Sequence, residues 1–321
     1  MLIRFAKLKL FLVFVLVLVR TGGMFAQANP GNAAQPTPAR QNALQANPAV
    51  PASPDWSEPF PPHRMIGNIY YVGSRGLASY LITTQAGHIL INANLQSSVP
   101  LIRESIEKLG FHFADVKILL ISHAHFDHDG GSAAIKKLTG AKYMVMDADV
   151  PVVESGGKSD FQYGESPSML YPATKVDRVL HDGDEVTLGD TVLVAHLTPG
   201  HTRGCTTWSL KVREAGKAYD VVIVGSPNVN PGYKLVNNAR YPEIARDYER
   251  GFRVLKSLPC DVFLGAHGSY YGMEAKYAQM SARLKAGEAN PYIDPEGYKS
   301  YVAEREQTFR SELQKQMSLR K

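Results

Sequence analysis

The feature that most constrains this chain is a join. The apolar run at residues 116–121, VKILLI, passes directly into Ser122-His123-Ala124-His125-Phe126-Asp127-His128. Three imidazoles and a carboxylate fall within six residues, in a chain of 321 that holds 10 histidines. A short apolar run of this kind reads as a strand buried on both faces. Such a strand ends at the rim of a sheet, where the following loop can turn several side chains toward one point. Imidazole nitrogen and carboxylate oxygen both bind zinc at about 2.0–2.2 Å. Four such groups in so short a loop do not easily close round one ion. They can serve two ions, each completed from elsewhere in the chain. Two later turns offer the missing ligands. Pro199-Gly200-His201-Thr202 and Gly265-Ala266-His267-Gly268 each follow an apolar run and flank a histidine with glycine.

The remaining chain interleaves the two periodicities. Residues 68–72, 79–83 and 87–92 read as strands, and 97–109 as an amphipathic helix with Leu101, Ile102, Ile106 and Leu109 on one face. A short helix is expected at 131–138 and a strand at 141–146. Residues 186–194 read as a hairpin turning at Gly189-Asp190, followed by strands at 206–212, 220–224 and 261–264. Helices are expected at 244–258, 273–285 and 298–316. Two mixed halves, each ending in a metal-type motif, predict an αββα sandwich: two mixed β-sheets with helices on the outer faces. His88, His181 and His196 lie in or beside apolar runs and read as structural. No Gly-x-Ser-x-Gly is present, and the one Ser-x-x-Lys of note, Ser155 to Lys158, lies in a glycine-rich loop, so serine-nucleophile chemistry is disfavoured.

Net charge needs the N-terminus to be interpreted. The chain is formally +5, with 35 Lys and Arg against 30 Asp and Glu. Arg4, Lys7, Lys9 and Arg20 belong to residues 1–28, which also hold the apolar run 10–19 and end in Ala26-Gln27-Ala28. That is a secretory leader pattern, and its apolar run is shorter than the roughly 20 residues a membrane span needs. An uncleaved anchor is the alternative reading. Without the leader, 31 bases face 30 acids, and no basic tract remains for a nucleic acid. Residues 29–58 are rich in Pro and Ala and read as a tether, with Trp56 and Phe60 placed to dock on a domain spanning 59–321. Export opens two outcomes for Cys205 and Cys260: a disulfide, or two separate thiols.

The ordered set of ligands resembles the metallo-β-lactamase superfamily over about residues 63–285. The resemblance implies one zinc held by His123, His125 and His201, and a second held by Asp127, His128 and His267. Many dinuclear members place a bridging Asp after a strand. Here that position, after Val221-Val222-Ile223-Val224-Gly225, is Ser226. Ser226, the phrase Pro199-Gly200-His201-Thr202-Arg203-Gly204-Cys205, and Pro231-Gly232-Tyr233 are similar to subclass B3 metallo-β-lactamases. One departure is Asn92, where the superfamily usually ends this strand in Asp.

The resemblance implies a periplasmic or secreted, monomeric hydrolase. It would open the amide of a small-molecule β-lactam by attack of a hydroxide shared between two zinc ions. Asp127 would orient the attack, Tyr233 would donate to the oxyanion, and Ser226 and Asn228 would hold the substrate carboxylate. Phe161 and Tyr163 are candidates for lining the groove. The competing readings are a lactonase, thioesterase or phosphodiesterase of the same fold, and an exported zinc-binding protein without activity.

Overall fold

The computed structural model describes residues 53–283 and 289–319. The leader read at 1–28 and most of the tether lie outside these residues. Among the described residues, no helix is long and apolar enough to cross a membrane.

Seven strands form the first sheet in chain order: β1 (His63–Ile66), β2 (Ile69–Tyr71), β3 (Tyr80–Thr84), β4 (Gly87–Ile91), β5 (Val116–Leu120), β6 (Lys142–Met146) and β7 (Arg178–Leu180). β1 to β4 pair antiparallel, and β4 to β7 pair parallel. The second sheet has the order β12-β11-β10-β9-β8. Its strands are β8 (Glu185–Leu188), β9 (Thr191–Leu197), β10 (Thr206–Glu214), β11 (Lys217–Val224) and β12 (Val262–Gly265). Only the β11–β12 pair is parallel. Both sheets are mixed, as the sequence predicts.

Strand alternation explains the layering. Ile89, Ile91, Ile118, Leu120, Met144 and Met146 face inward, where they join Leu193, Ala195, Trp208 and Leu210 of the second sheet. The alternate residues Leu81, Leu90, Leu119, Tyr143 and Val145 face outward. They pack under Ile102 and Ile106 of α1 (Val99–Lys108) and Ile135 of α3 (Ser132–Thr139), which follows the short α2 (Phe126–Asp129). After α4 (Val150–Glu154), the remaining helices follow the second sheet's strands. α5 (Ile244–Ser257) contributes Tyr248, Phe252 and Leu255, and α7 (Pro295–Ser318) contributes Tyr298, Val302 and Phe309. α6 (Met273–Arg283) lies between them in the chain. Each fully buried aliphatic or aromatic side chain of this kind contributes about 1.5–3 kcal/mol.

One sequence expectation shifts. β10 and β11 run longer than read and close on Ala215-Gly216, with Glu214 opposite Lys217. Both turn residues have positive φ, and Ala at such a position hides the turn from composition. Trp56 and Phe60 dock against the domain. Pro54–Trp56 forms a 3-10 turn, Trp56 packs on Phe126 and His267, and Phe60 is buried against Tyr71 and Tyr277. Cys205 and Cys260 are free thiols, so the disulfide alternative falls.

The two sheets are stitched together at one end of the sandwich. Trp208 donates its indole N–H to the carbonyl of Ile121 at 3.1 Å, and the Thr206 amide donates to Ser122 at 2.8 Å. Across the inter-sheet seam, the Ala78 amide donates to Ala266 at 3.0 Å. The loops that follow β5, β9, β11 and β12 meet there.

Candidate metal centre

β5 delivers Ser122, and Asn92 fixes it. The Asn92 side-chain carbonyl accepts from the Ser122 amide at 2.8 Å and from its hydroxyl at 3.0 Å. Its amide nitrogen donates to Ala78 at 3.3 Å. Asn92 adopts φ +68°, a left-handed conformation that Asn tolerates better than most residues. The superfamily's usual Asp is replaced here by a residue that still anchors the loop, and its neutral amide also serves as a donor.

From Ser122 the chain presents His123, then His125 as the residue preceding α2, then Asp127 and His128 within it. β9 leads to His201, and β12 leads to His267. The six side chains converge in two sets. The ring nitrogens of His123, His125 and His201 lie within 4.8 Å of one another. In the second set, His128 Nε2 and His267 Nε2 are 3.2 Å apart. Asp127 Oδ2 sits 3.2 Å from the first of these nitrogens and 3.5 Å from the second. Ligands at about 2.0–2.1 Å in a tetrahedron are separated by about 3.3–3.4 Å, so this triangle fits zinc. Nδ1 of His123 and Nδ1 of His128 are buried without a hydrogen-bond partner. Such a cluster of unpaired imidazoles is costly unless an ion takes up some of the nitrogens.

The electrostatics suit a cation. Burial holds His123 well below the ordinary histidine range, lowers His201 to about 3 and lowers His267 to about 4. These rings are therefore neutral and can act as ligands at neutral pH. Burial would raise Asp127, but His128, through charge and a hydrogen bond, and then His267 hold it well below the carboxylate range. Nδ1 of His201 lies 2.8 Å from the Asn228 carbonyl, which leaves Nε2 for the metal.

Two carboxylates that sequence reasoning missed hold this arrangement. Asp149 is buried and accepts from the Ala124 amide at 3.0 Å, the Thr202 hydroxyl at 2.8 Å and the Gly204 amide at 2.8 Å. It thereby ties the His123–His125 loop to the His201 loop. Gly204 must be glycine, because a Cβ would stand 2.6 Å from the Asp149 amide nitrogen. Asp160 faces His125, with Oδ2 3.6 Å from Nε2. Its other oxygen accepts from the Gln162 and Tyr163 amides at 2.8 and 2.6 Å, shaping the loop that carries Tyr163.

A cleft of about 240 Å³ opens over the ligands, lined among others by Trp56, Phe126, Tyr163, Asn228 and Tyr270. Tyr163 and Asn228, two of the substrate-binding candidates, line it. Ser226 is buried, with its hydroxyl 3.3 Å from that of Tyr270 and accepting from the Asn228 amide at 3.5 Å, so it meets the cleft through these two residues. Phe161 packs under the cleft against Tyr233 and Tyr241. Tyr233, read from the sequence as an oxyanion donor, is buried, and its hydroxyl donates to the His201 carbonyl at 2.9 Å, which braces the loop carrying His201. Trp56, Met169, Asn230 and Tyr270 also line the cleft. None of the last three belongs to a local motif that could have marked it. His181 and His196 stand apart, paired with Asp184 and Ser209.

A family model for the metallo-β-lactamase superfamily matches residues 73–267, a span that contains all six candidate ligands. The chain belongs to the metallo-β-lactamase superfamily. Within it, native FEZ-1 metallo-β-lactamase from Legionella gormanii is 56% identical, covering 81% of this chain and 98% of that one, with a TM-score of 0.79. BJP-1, a subclass B3 metallo-β-lactamase of Bradyrhizobium japonicum, is 40% identical over 84% of this chain and 99% of its own, at TM-score 0.78. The class B3 di-zinc metallo-β-lactamase LRA-12 from an Alaskan soil metagenome is 35% identical, covering 82% and 98%, at TM-score 0.76. A probable metallo-hydrolase of Burkholderia pseudomallei is 31% identical over 150 residues. The chain spans about half the length of that curated relative, at 49%.

Proposed function

We propose that this superfamily member is a secreted β-lactamase of the B3 type, carrying two zinc ions and opening the amide of a β-lactam antibiotic. The observation that carries the reading is the pairing of a three-histidine set with an Asp-His-His set beneath one cleft. The likeness to FEZ-1 along nearly that protein's whole length supports it. So does Ser226 at the end of β11, where many other dinuclear members place a bridging carboxylate.

Zinc bound in such a set polarises a carbonyl oxygen and brings the pKa of water to about 7. The chain's own residues do the rest. Asp127, ionised beside His128 and His267, orients the attacking water by accepting a hydrogen bond from it. Asn228 and Tyr270 stand at the cleft as hydrogen-bonding groups for the substrate carboxylate, with Ser226 behind them. Trp56, Phe126 and Tyr163 supply apolar walls that exclude water from the reacting bond. Export rests on the leader pattern at residues 1–28.

The test is turnover by zinc-reconstituted protein of a chromogenic cephalosporin and a carbapenem, with a lactone and a thioester alongside, and with or without a chelator. Chelator-sensitive hydrolysis of the β-lactams, well above the other two, is expected. Preferred lactone or thioester turnover would move the protein to another branch of the superfamily. Zinc retention with no turnover of any substrate would leave a binding protein.

A further inference from the structure

The cleft does not stop at Asn228. A second cavity, of about 460 Å³, opens beside it and shares Asn228, Ser269 and Tyr270 with the cleft. Its other wall is one face of α7, formed by Gly297, Ser300, Tyr301, Glu304 and Arg305, which recur at helical intervals of three and four.

Three buried side-chain polar atoms of residues lining this cavity have no hydrogen-bond partner: Asn228 Oδ1, the Tyr301 hydroxyl and Arg305 Nε. Arg305 donates to Glu304 through a terminal nitrogen, and the Glu304 side chain is 67% exposed. The Nε–H is left unused. Asn228 donates through Nδ2 to the Tyr270 hydroxyl at 2.9 Å, which leaves its own oxygen open. The Tyr270 and Tyr301 rings stack at 5.1 Å and 27°, giving the cavity a flat aromatic flank.

We infer that this cavity is a substrate subsite for an acidic substituent, a carboxylate on a flat stem, carried on the substrate beyond the scissile amide. Two unspent donors one helical turn apart, Arg305 Nε–H and the Tyr301 hydroxyl, call for an acceptor with two oxygens. A carboxylate on a guanidinium is the strongest such match. The stem lies against the Tyr270–Tyr301 flank. The shared residues make the subsite continuous with the cleft, so one substrate occupies both. The inference rests on the β-lactamase reading and names a substrate class within it.

The test uses zinc-loaded full-length protein and two cephalosporins that differ only in a 3′ substituent ending in benzoate or in benzamide. The wild type is expected to favour the benzoate by about tenfold in kcat/KM, carried by KM, as a charge-assisted hydrogen bond would give. Arg305→Met keeps the stem over Tyr301 and should bring the ratio close to one. Tyr301→Phe should lower it in part. Arg310→Met, an exposed control on α7, should leave it unchanged, and matching melting temperatures check the fold. Equal turnover by the wild type, or a preference that survives Arg305→Met, overturns the subsite alone. No turnover of either compound overturns the β-lactamase reading and the subsite with it.

Discussion

His125 and Asp160 form a buried imidazole–carboxylate pair, with Nε2 of one 3.6 Å from Oδ2 of the other. Burial lowers the His125 pKa, but the contact with Asp160 outweighs it and raises the ring above the ordinary histidine value. A carboxylate behind a ligating imidazole fixes ring orientation and raises ligand basicity. Asp160→Asn should therefore weaken zinc binding by about 10–100-fold while leaving the fold intact. Competition against a chromophoric chelator reads this directly. An unchanged zinc affinity would reduce Asp160 to its role in shaping the Tyr163 loop.

Asp149 bears on stability more than on chemistry. Asp149→Ala strands the Ala124 amide, the Thr202 hydroxyl and the Gly204 amide in the interior. A loss of about 3 kcal/mol or more is expected, since each unsatisfied buried group costs about 1–3 kcal/mol. Urea unfolding of the metal-depleted variant measures it.

Asn92→Asp restores the residue usual in the superfamily, yet it should destabilise this protein. The Asn92 amide donates to the Ala78 carbonyl, and a carboxylate there would set oxygen against oxygen at a fully buried position. The expected loss is about 1–3 kcal/mol, visible as a lower melting temperature. An equal or higher melting temperature would show that Ala78 shifts to accommodate the charge.

Removing one ligand should separate the two metal sets. His267→Ala takes a nitrogen from the Asp127–His128 triangle and leaves the three-histidine set whole. Bound zinc should fall by about one equivalent and turnover by about a hundredfold or more, with little change in melting temperature. Elemental analysis after dialysis gives the stoichiometry.

Acid should release the two ions at different pH. Protons compete for a ligand at and below its own pKa. His267 is lowered to about 4, so its nitrogen stays free well below neutrality, whereas Asp160 raises His125 above the ordinary histidine value, so protons reach that ring first. Zinc content after dialysis should fall by about one equivalent between neutrality and about pH 5, and by the second only below that. Loss of both ions in one step would mean that the two sets do not differ in proton competition.

What the sequence determined by itself was whatever is local or repeated. The histidine-rich loop follows its strand without interruption, so the candidate ligands and their order could be read from 122–128. Pro-Gly and Gly-flanked turns marked His201 and His267. Alternating apolar runs announced two mixed sheets, because a strand buried on both faces must be apolar throughout. Tertiary structure alone decided the supports. Asp149 and Asp160 sit in unremarkable stretches and gain their roles by meeting loops from the other sheet or the far side of the cleft. The same is true of the Tyr233 hydroxyl, captured by a backbone carbonyl 32 residues away, and of the two cysteines, which never pair. A ligand's type is a property of its own atoms. Its orientation is set by whichever distant groups the folded chain brings within hydrogen-bonding reach, and no local pattern encodes that distance.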